Sequence, residues 1–247
     1  MSRSLVQAAR WAVFWLAVLA MNFPVIATFV TSIKSDAEIS ANASLWVDAP
    51  TLTNYRAIFA MQDRFDILHF LWNSVAASAL GSALALILAF PAAYAMVRYG
   101  TGKSWLMPLV VNLRAVPLII FAIPIYLMYR ELGLSDTKLG MILLYTPVNV
   151  SLAVWLLKGF IDEIPREYEE AAMIDGYTRL QAFWKVVLPQ AATGIAATAI
   201  FCLIFAWNEY AFAVLLTSGA AQTAPPFIPI IIGGGGQDWP AVAAGTT

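Results

Sequence analysis

Residues 70–97, FLWNSVAASALGSALALILAFPAAYAMV, run for 28 positions without a charged side chain. An α-helix rises about 1.5 Å per residue and a bilayer's hydrocarbon core is about 30 Å thick, so roughly 20 apolar residues cross it. The stretch is long enough to span a membrane as one helix. Outward from it, comparable runs lie on both sides. Trp11 to Ile33 is charge-free, Trp105 to Tyr129 is interrupted only by Arg114, Leu139 to Leu157 is clean, and Ala191 to Thr217 carries Glu209 alone. Five spans are therefore expected. The first is retained as a helix, because it is long and has no persuasive small-x-small exit before Lys34.

Composition agrees. The 247 residues are 61% hydrophobic and only 12% charged, against roughly half and a quarter in soluble domains. With 14 basic and 15 acidic residues there is no basic footprint for nucleic acid. The single cysteine, Cys202, lies in an apolar run and reads as a small buried hydrophobe, which excludes an internal disulfide. His69 has no second histidine to help it bind a metal and reads as interfacial.

Basic residues in short loops are retained on the cytoplasmic side. An inside N-terminus places Arg3, Arg10, Arg98, Lys103, Lys158, Arg166, Arg179 and Lys185 in the cytoplasm, and Lys34, Arg56, Arg64, Arg130 and Lys138 outside. The majority favours that orientation. Residues 34–69 then form an external loop, with an amphipathic helix from Thr53 to Met61. Pro225 to Ile232 is too short and proline-broken to span and reads as an outer cap, followed by the glycine run 233–236. Trp239 to Ala244 resembles the opening of another helix, so a sixth span is expected to be missing or incomplete at the C-terminus.

The most polar stretch is Lys158 to Lys185, between the fourth and fifth spans, and it reads as two short helices. Pro165 suits a first helical position, Glu167, Glu169 and Glu170 favour the positive end of a helix dipole, and Gly176 supplies a C-terminal stop. Thr178 with Gln181 forms a capping box for the second helix, which Pro189 ends or kinks. Tyr168, Ala171 and Ala172 are expected on one face, a bulky anchor beside small residues that permit close approach. Such a helix is a docking element.

Within it, Glu170-Ala171-Ala172, three residues, Gly176, nine residues, Val186, one residue, then Leu188-Pro189 match the EAA signature of ABC importer permeases, with Val for Ile. Gly133-Leu134, Asp136-Thr137, Trp155-Leu156-Leu157, Gly159-Phe160, Ile164-Pro165, Asp175-Gly176 and Trp207-Asn208-Glu209 resemble the carbohydrate-uptake branch, the second permease of maltose and glycerol-phosphate systems. The likeness covers nearly the whole chain. It implies an all-α polytopic bundle of the type I ABC importer fold, a single domain over 1–247, with coupling helices at 160–189. It implies a bacterial inner-membrane protein moving a sugar or polyol and partnered by a second permease, two ABC ATPase subunits that bind ATP and Mg, and an extracytoplasmic binding protein. Tyr168, Glu170, Ala171, Ala172, Asp175, Gly176, Leu188 and Pro189 would carry the ATPase contact.

Ionisable and amide groups within spans are functional candidates. Arg114 and Asn149 lie roughly 14 and 15 Å into their helices, near the midplane, and could meet. Glu209 lies roughly 27 Å along its span, far from Arg114 unless that helix is unwound. Trp207, Asn208, Glu209 and Tyr210 combine aromatic rings with hydrogen-bonding groups, as a sugar requires; a structural role at a helix break fits them equally. Gly100-Thr101-Gly102-Lys103-Ser104 ends like a phosphate loop, but Val97 stands where its first glycine belongs. An ion-coupled secondary transporter is the alternative, and it would need midplane carboxylates. An intramembrane enzyme would need paired catalytic groups, and none are present in the spans.

Overall fold

The computed structural model describes residues 3–41, 44–60, 66–102, 104–229 and 239–247. Met61, Arg64, Lys103, the last three residues of the expected outer cap, and Gly233 to Gly236 lie outside them. Among the described residues every regular element is helical. The contacts separate two compact units, residues 1–68 with 227–247, and residues 69–226.

The first unit is built on α1 (Arg3–Ser32), whose apolar side chains are largely exposed, as expected of a lipid- or partner-facing helix. Two short helices follow, α2 (Asp36–Ala41) and α3 (Thr53–Ala60), in the expected external loop. The last four carbonyls of a helix have no internal partner. Buried Asn54 serves that end of the chain, its amide donating to the carbonyls of Ser32 at 2.8 Å and Lys34 at 2.7 Å. Trp239–Thr246 is helical, as the sequence predicts, and packs on α1 and α3.

In the second unit α4 (Ile67–Tyr99) is the helix anticipated from its charge-free run, extended past Arg98. Beside it, α7 (Lys138–Asp162) packs against α5 (Leu106–Ala115) and α11 (Ala192–Trp207). Ala89, Ala93, Ala153, Leu157 and Cys202 form their shared core, each fully buried. At the crossing of α11 with α7, a Cβ on Gly194 would run into the Phe160 ring, so only glycine allows this approach.

Two expected spans are not single straight helices. The third breaks at Val116-Pro117 into α5 and a segment comprising the 3-10 turn Leu118–Phe121 and α6 (Ala122–Glu131), bent by 86°. Proline removes a backbone donor and forces its predecessor out of helical geometry, and Val116 is extended with ψ of 125°. The fifth is preceded by a 69° bend at Ala191 and ends early, at Trp207, before the separate helix α12 (Ala211–Leu216). Among the described residues three helices are long and apolar enough to cross a membrane, and each bent pair can supply one more.

Candidate functional site

The polar stretch folds as the sequence predicts. α8 (Glu167–Ile174) carries three acids in its first turn, with Pro165 just before the N-cap Arg166 rather than within the helix. Gly176 has φ of 91°, in the left-handed region that favours glycine. Its N–H bonds the carbonyl of Met173 at 3.1 Å and Tyr177 N–H that of Ala172 at 3.0 Å, a complete Schellman stop. Thr178 and Gln181 close their capping box at 2.8 and 3.3 Å and start α9 (Arg179–Ala182). A π-turn, Phe183–Val187, then leads into α10 (Leu188–Gln190), where Pro189 opens the last turn before the bend.

The expected face of α8 is divided. Tyr168 and Ala171 point outward with Glu170, Ile174 and Asp175, whereas Ala172 is buried. Consecutive residues on a helix diverge by about 100°, so Ala172 follows Glu169 at i+3 into the bundle instead of joining Ala171. Ile174 is 86% exposed and Tyr168 54%, two apolar side chains in the open on a segment rich in charge. Leu188 is half-buried against the core and Pro189 exposed.

Glu169, which the sequence gives no reason to separate from its neighbours, is the buried acid. It accepts from Tyr94 Oη at 2.7 Å and pairs with Arg98 Nε. Arg98 also donates to the Ile164 carbonyl at 2.9 Å, and Arg166 returns a bond to Val97 O at 2.9 Å. Charge at both positions was visible in the sequence, but nothing local signalled that the two meet.

The intramembrane candidates separate. Arg114 and Glu209, set apart by counting along straight helices, line one cavity of about 490 Å³ with Phe121, Pro147, Phe205 and Phe212. The break in the third span places Arg114 at the end of α5, where its guanidinium lies 4.2 Å from the Phe205 ring centroid. Asn149 does not join it. That side chain is fully buried where α7 meets α11 and donates to Cys202 O at 3.3 Å.

Glu209 sits in the gap between α11 and α12, its two carboxylate oxygens accepting from the N–H groups of Phe212 at 3.0 Å and Ala213 at 3.1 Å. Asn208 donates to Ile204 O at 2.8 Å. Both therefore serve the helix break, while Glu209 still lines the cavity. Trp207 and Asn208 face a separate open groove with Val75, Ser78 and Leu203, and Tyr210 is exposed.

Asp136, in the turn between α6 and α7, has φ of 52° and gathers the N–H groups of Ser218, Gly219, Ala220 and Ala221 at 3.0 to 3.2 Å. Partial burial opposes its ionisation, but the four donors outweigh it and hold the carboxyl below the usual carboxylate range. His69 Nε2 and Asn73 Nδ2 reach the same turn through Ala220 O, at 2.9 and 3.1 Å.

Residues 81–246, well over half the chain, match the family described as the binding-protein-dependent transport system inner membrane component. The chain belongs to this family. It is a multi-pass permease of an ABC importer, without an ATPase site of its own, and the ion-coupled alternative falls away. Among its relatives are the sulfoquinovosyl glycerol transport system permease SmoH of Agrobacterium fabrum, 34% identical over 92% of this chain and 80% of that one. The trehalose transport system permease SugB of Mycobacterium tuberculosis is 36% identical over 96% and 88%. The fold matches a crystal structure of a bacterial ABC transporter that imports the acidic polysaccharide alginate, with a TM-score of 0.71 at 21% identity, covering 99% of this permease and 92% of that chain. Gly100 and Gly102, with φ of 67° and 65°, shape the turn after α4.

Proposed function

We propose that this permease carries a sugar or polyol, as a heterodimer with a second permease on two ATPase subunits that bind ATP and Mg, fed by an extracytoplasmic binding protein. Its N-terminus is cytoplasmic, and the segment 160–189 is the point at which ATP-driven closure of the ATPase pair reaches the membrane helices. The observation that carries this reading is the outward face of α8. Tyr168, Glu170, Ala171 and Ile174 stand exposed on a helix fixed at both ends, by an acidic first turn and by the Gly176 stop. Glu170 makes polar contacts with the ATPase, Ala171 allows close approach, and Gly176 turns the chain away so that α8 can lie in a groove of the partner.

The sugar cargo is supported by the names of the relatives and by the chemistry of the cavity. Phe121, Phe205 and Phe212 supply apolar ring faces, and Arg114 and Glu209 supply a donor and an acceptor to the same cavity. That pairing suits a ring with hydroxyls, and the cavity is read as part of the translocation path. In the assembled complex, replacing Glu170 with Ala or Gly176 with Val should abolish uptake and substrate-stimulated ATPase activity while expression persists. Normal transport in both variants would reject the coupling assignment.

A further inference from the structure

α8 has eight residues, and its buried members are Glu169 and Ala172. A helix this short is not stable on its own, and one buried alanine offers little apolar surface to orient it. Its orientation is set instead by a directional polar contact. The Glu169 carboxylate is held by Arg98 Nε and the Tyr94 hydroxyl, both on the last two turns of α4, with the Arg98 and Glu169 side chains only 7% and 9% exposed. Arg98 and Arg166 exchange bonds with the backbone carbonyls of Ile164 and Val97, tying the linker before α8 to the same helix end. A further contact follows in the π-turn, where the Phe183 ring lies 4.8 Å from Tyr94 and 5.3 Å from Phe90.

α4 continues unbroken from that clamp to the opposite end of the unit. Asn73 there donates to the carbonyls of Ala220 and Gln222 at 3.1 and 2.9 Å, and Ser74 Oγ accepts from Ala224 N–H at 2.8 Å. Asn73 and Arg98 stand about 37 Å apart along the helix axis at 1.5 Å per residue. One continuous helix, with Pro91 inside it, thus joins the coupling segment at one end to the turn gathered by Asp136 at the other.

We propose that Glu169 is a positioning residue for transport, which acts through Arg98 to deliver movement of α8 to α4 and hence to the loop at residues 217–224. The assignment rests on the coupling role of α8 given above. An apolar contact could slip under load, whereas a desolvated carboxylate bound by two donors holds one geometry. Lysine is a poor substitute for Arg98, because two nitrogens of one planar guanidinium, Nε and Nη2, serve Glu169 and the Ile164 carbonyl.

The test is solute moved per ATP hydrolysed by the purified, assembled importer in proteoliposomes, for Glu169→Gln, Arg98→Lys and the exchanged pair Arg98→Glu with Glu169→Arg. Each single variant should retain basal ATPase activity while uptake per ATP falls about tenfold, within the span of ordinary coupling free energies. The exchanged pair should recover a substantial part of it. Unchanged uptake per ATP in both single variants would overturn the proposal, as would losses that the exchange does not relieve. If neither charge variant assembles, Tyr94→Phe removes one donor only; a fall in uptake per ATP of about threefold supports the proposal and no change refutes it. Gly176→Val run alongside separates the two ideas. A defect there with normal Glu169→Gln removes only the clamp, whereas normal transport in Gly176→Val and Glu170→Ala removes the coupling reading itself.

Discussion

The segment 160–189 and the Arg114 cavity are both built around helix ends, yet they are made by opposite means. In the first, each stop has its own local chemistry: an acidic first turn, a glycine in the left-handed region, and a Thr178–Gln181 box. In the second, Val116-Pro117 and the gap at Asn208 to Tyr210 interrupt apolar helices, and the groups thus freed meet only in space. Polar water-facing helices must satisfy their ends with nearby residues, so their structure is written locally. The break at Glu209 is also capped locally, but the cavity it lines is assembled only where the broken helices come together.

The sharpest test of that difference is at Gly176. A β-branched residue resists φ of 91° at a cost of a few kcal/mol, whereas asparagine tolerates it far better. Uptake should be lost in Gly176→Val and largely kept in Gly176→Asn. Equal loss in both would mean that the space around residue 176, and not its backbone, decides.

Arg114 probes the cavity side. Replacing it with Ala removes both the contact with Phe205 and the cavity's cation, and transport should fall about tenfold, since a desolvated cation–π contact reaches about 2 kcal/mol. Arg114→Lys should fall less, because the charge survives while the planar stack does not. Binding-protein-dependent uptake at saturating and limiting substrate separates the two outcomes. Full activity in Arg114→Ala would take the cavity off the path.

These contrasts account for what the sequence revealed. Charge-free length identifies α4 and α7, and caps identify α8 and α9, because each signal lies within or beside the helix it marks. Pro117 in the third span signals a kink, but the 86° angle is not readable from it, because proline marks a break without setting its angle. Arg114 and Asn149 were paired by depth alone. The bend instead carries Arg114 to Phe205 and Glu209, while Asn149 turns to the Cys202 carbonyl. The Glu169–Arg98 contact links residues 71 apart, which periodicity cannot register.

Glu209 shows a smaller effect on the same side. Its carboxylate supplies the acceptors for two N–H groups at the start of α12, so Glu209→Ala should lower stability by about 1 kcal/mol, as for other lost caps. Thermal unfolding of the detergent-solubilised complex reads that change. Glu209→Gln keeps one acceptor and should recover part of it. If uptake falls in Glu209→Gln while stability is retained, the carboxylate also serves the cavity; unchanged uptake leaves it a cap.

The smallest effect belongs to Asp136, which joins two turns as local caps do but through partners more than 80 positions away. Its carboxyl is held below the usual range in the folded chain, so ionisation is favoured more by the folded state than by the unfolded one. The resulting stabilisation is complete above about pH 4, where the unfolded aspartate is also ionised, and is lost as pH falls through the depressed folded value. Asp136→Asn cannot ionise, so the stability difference between wild type and Asp136→Asn should be constant above about pH 4 and narrow below it. Hydrogen exchange at Ser218 to Ala221, followed across that window, reports the turn directly. Protection that weakens with acid in the wild type but not in Asp136→Asn assigns the effect to this carboxylate; parallel weakening in both would place the titrating group elsewhere.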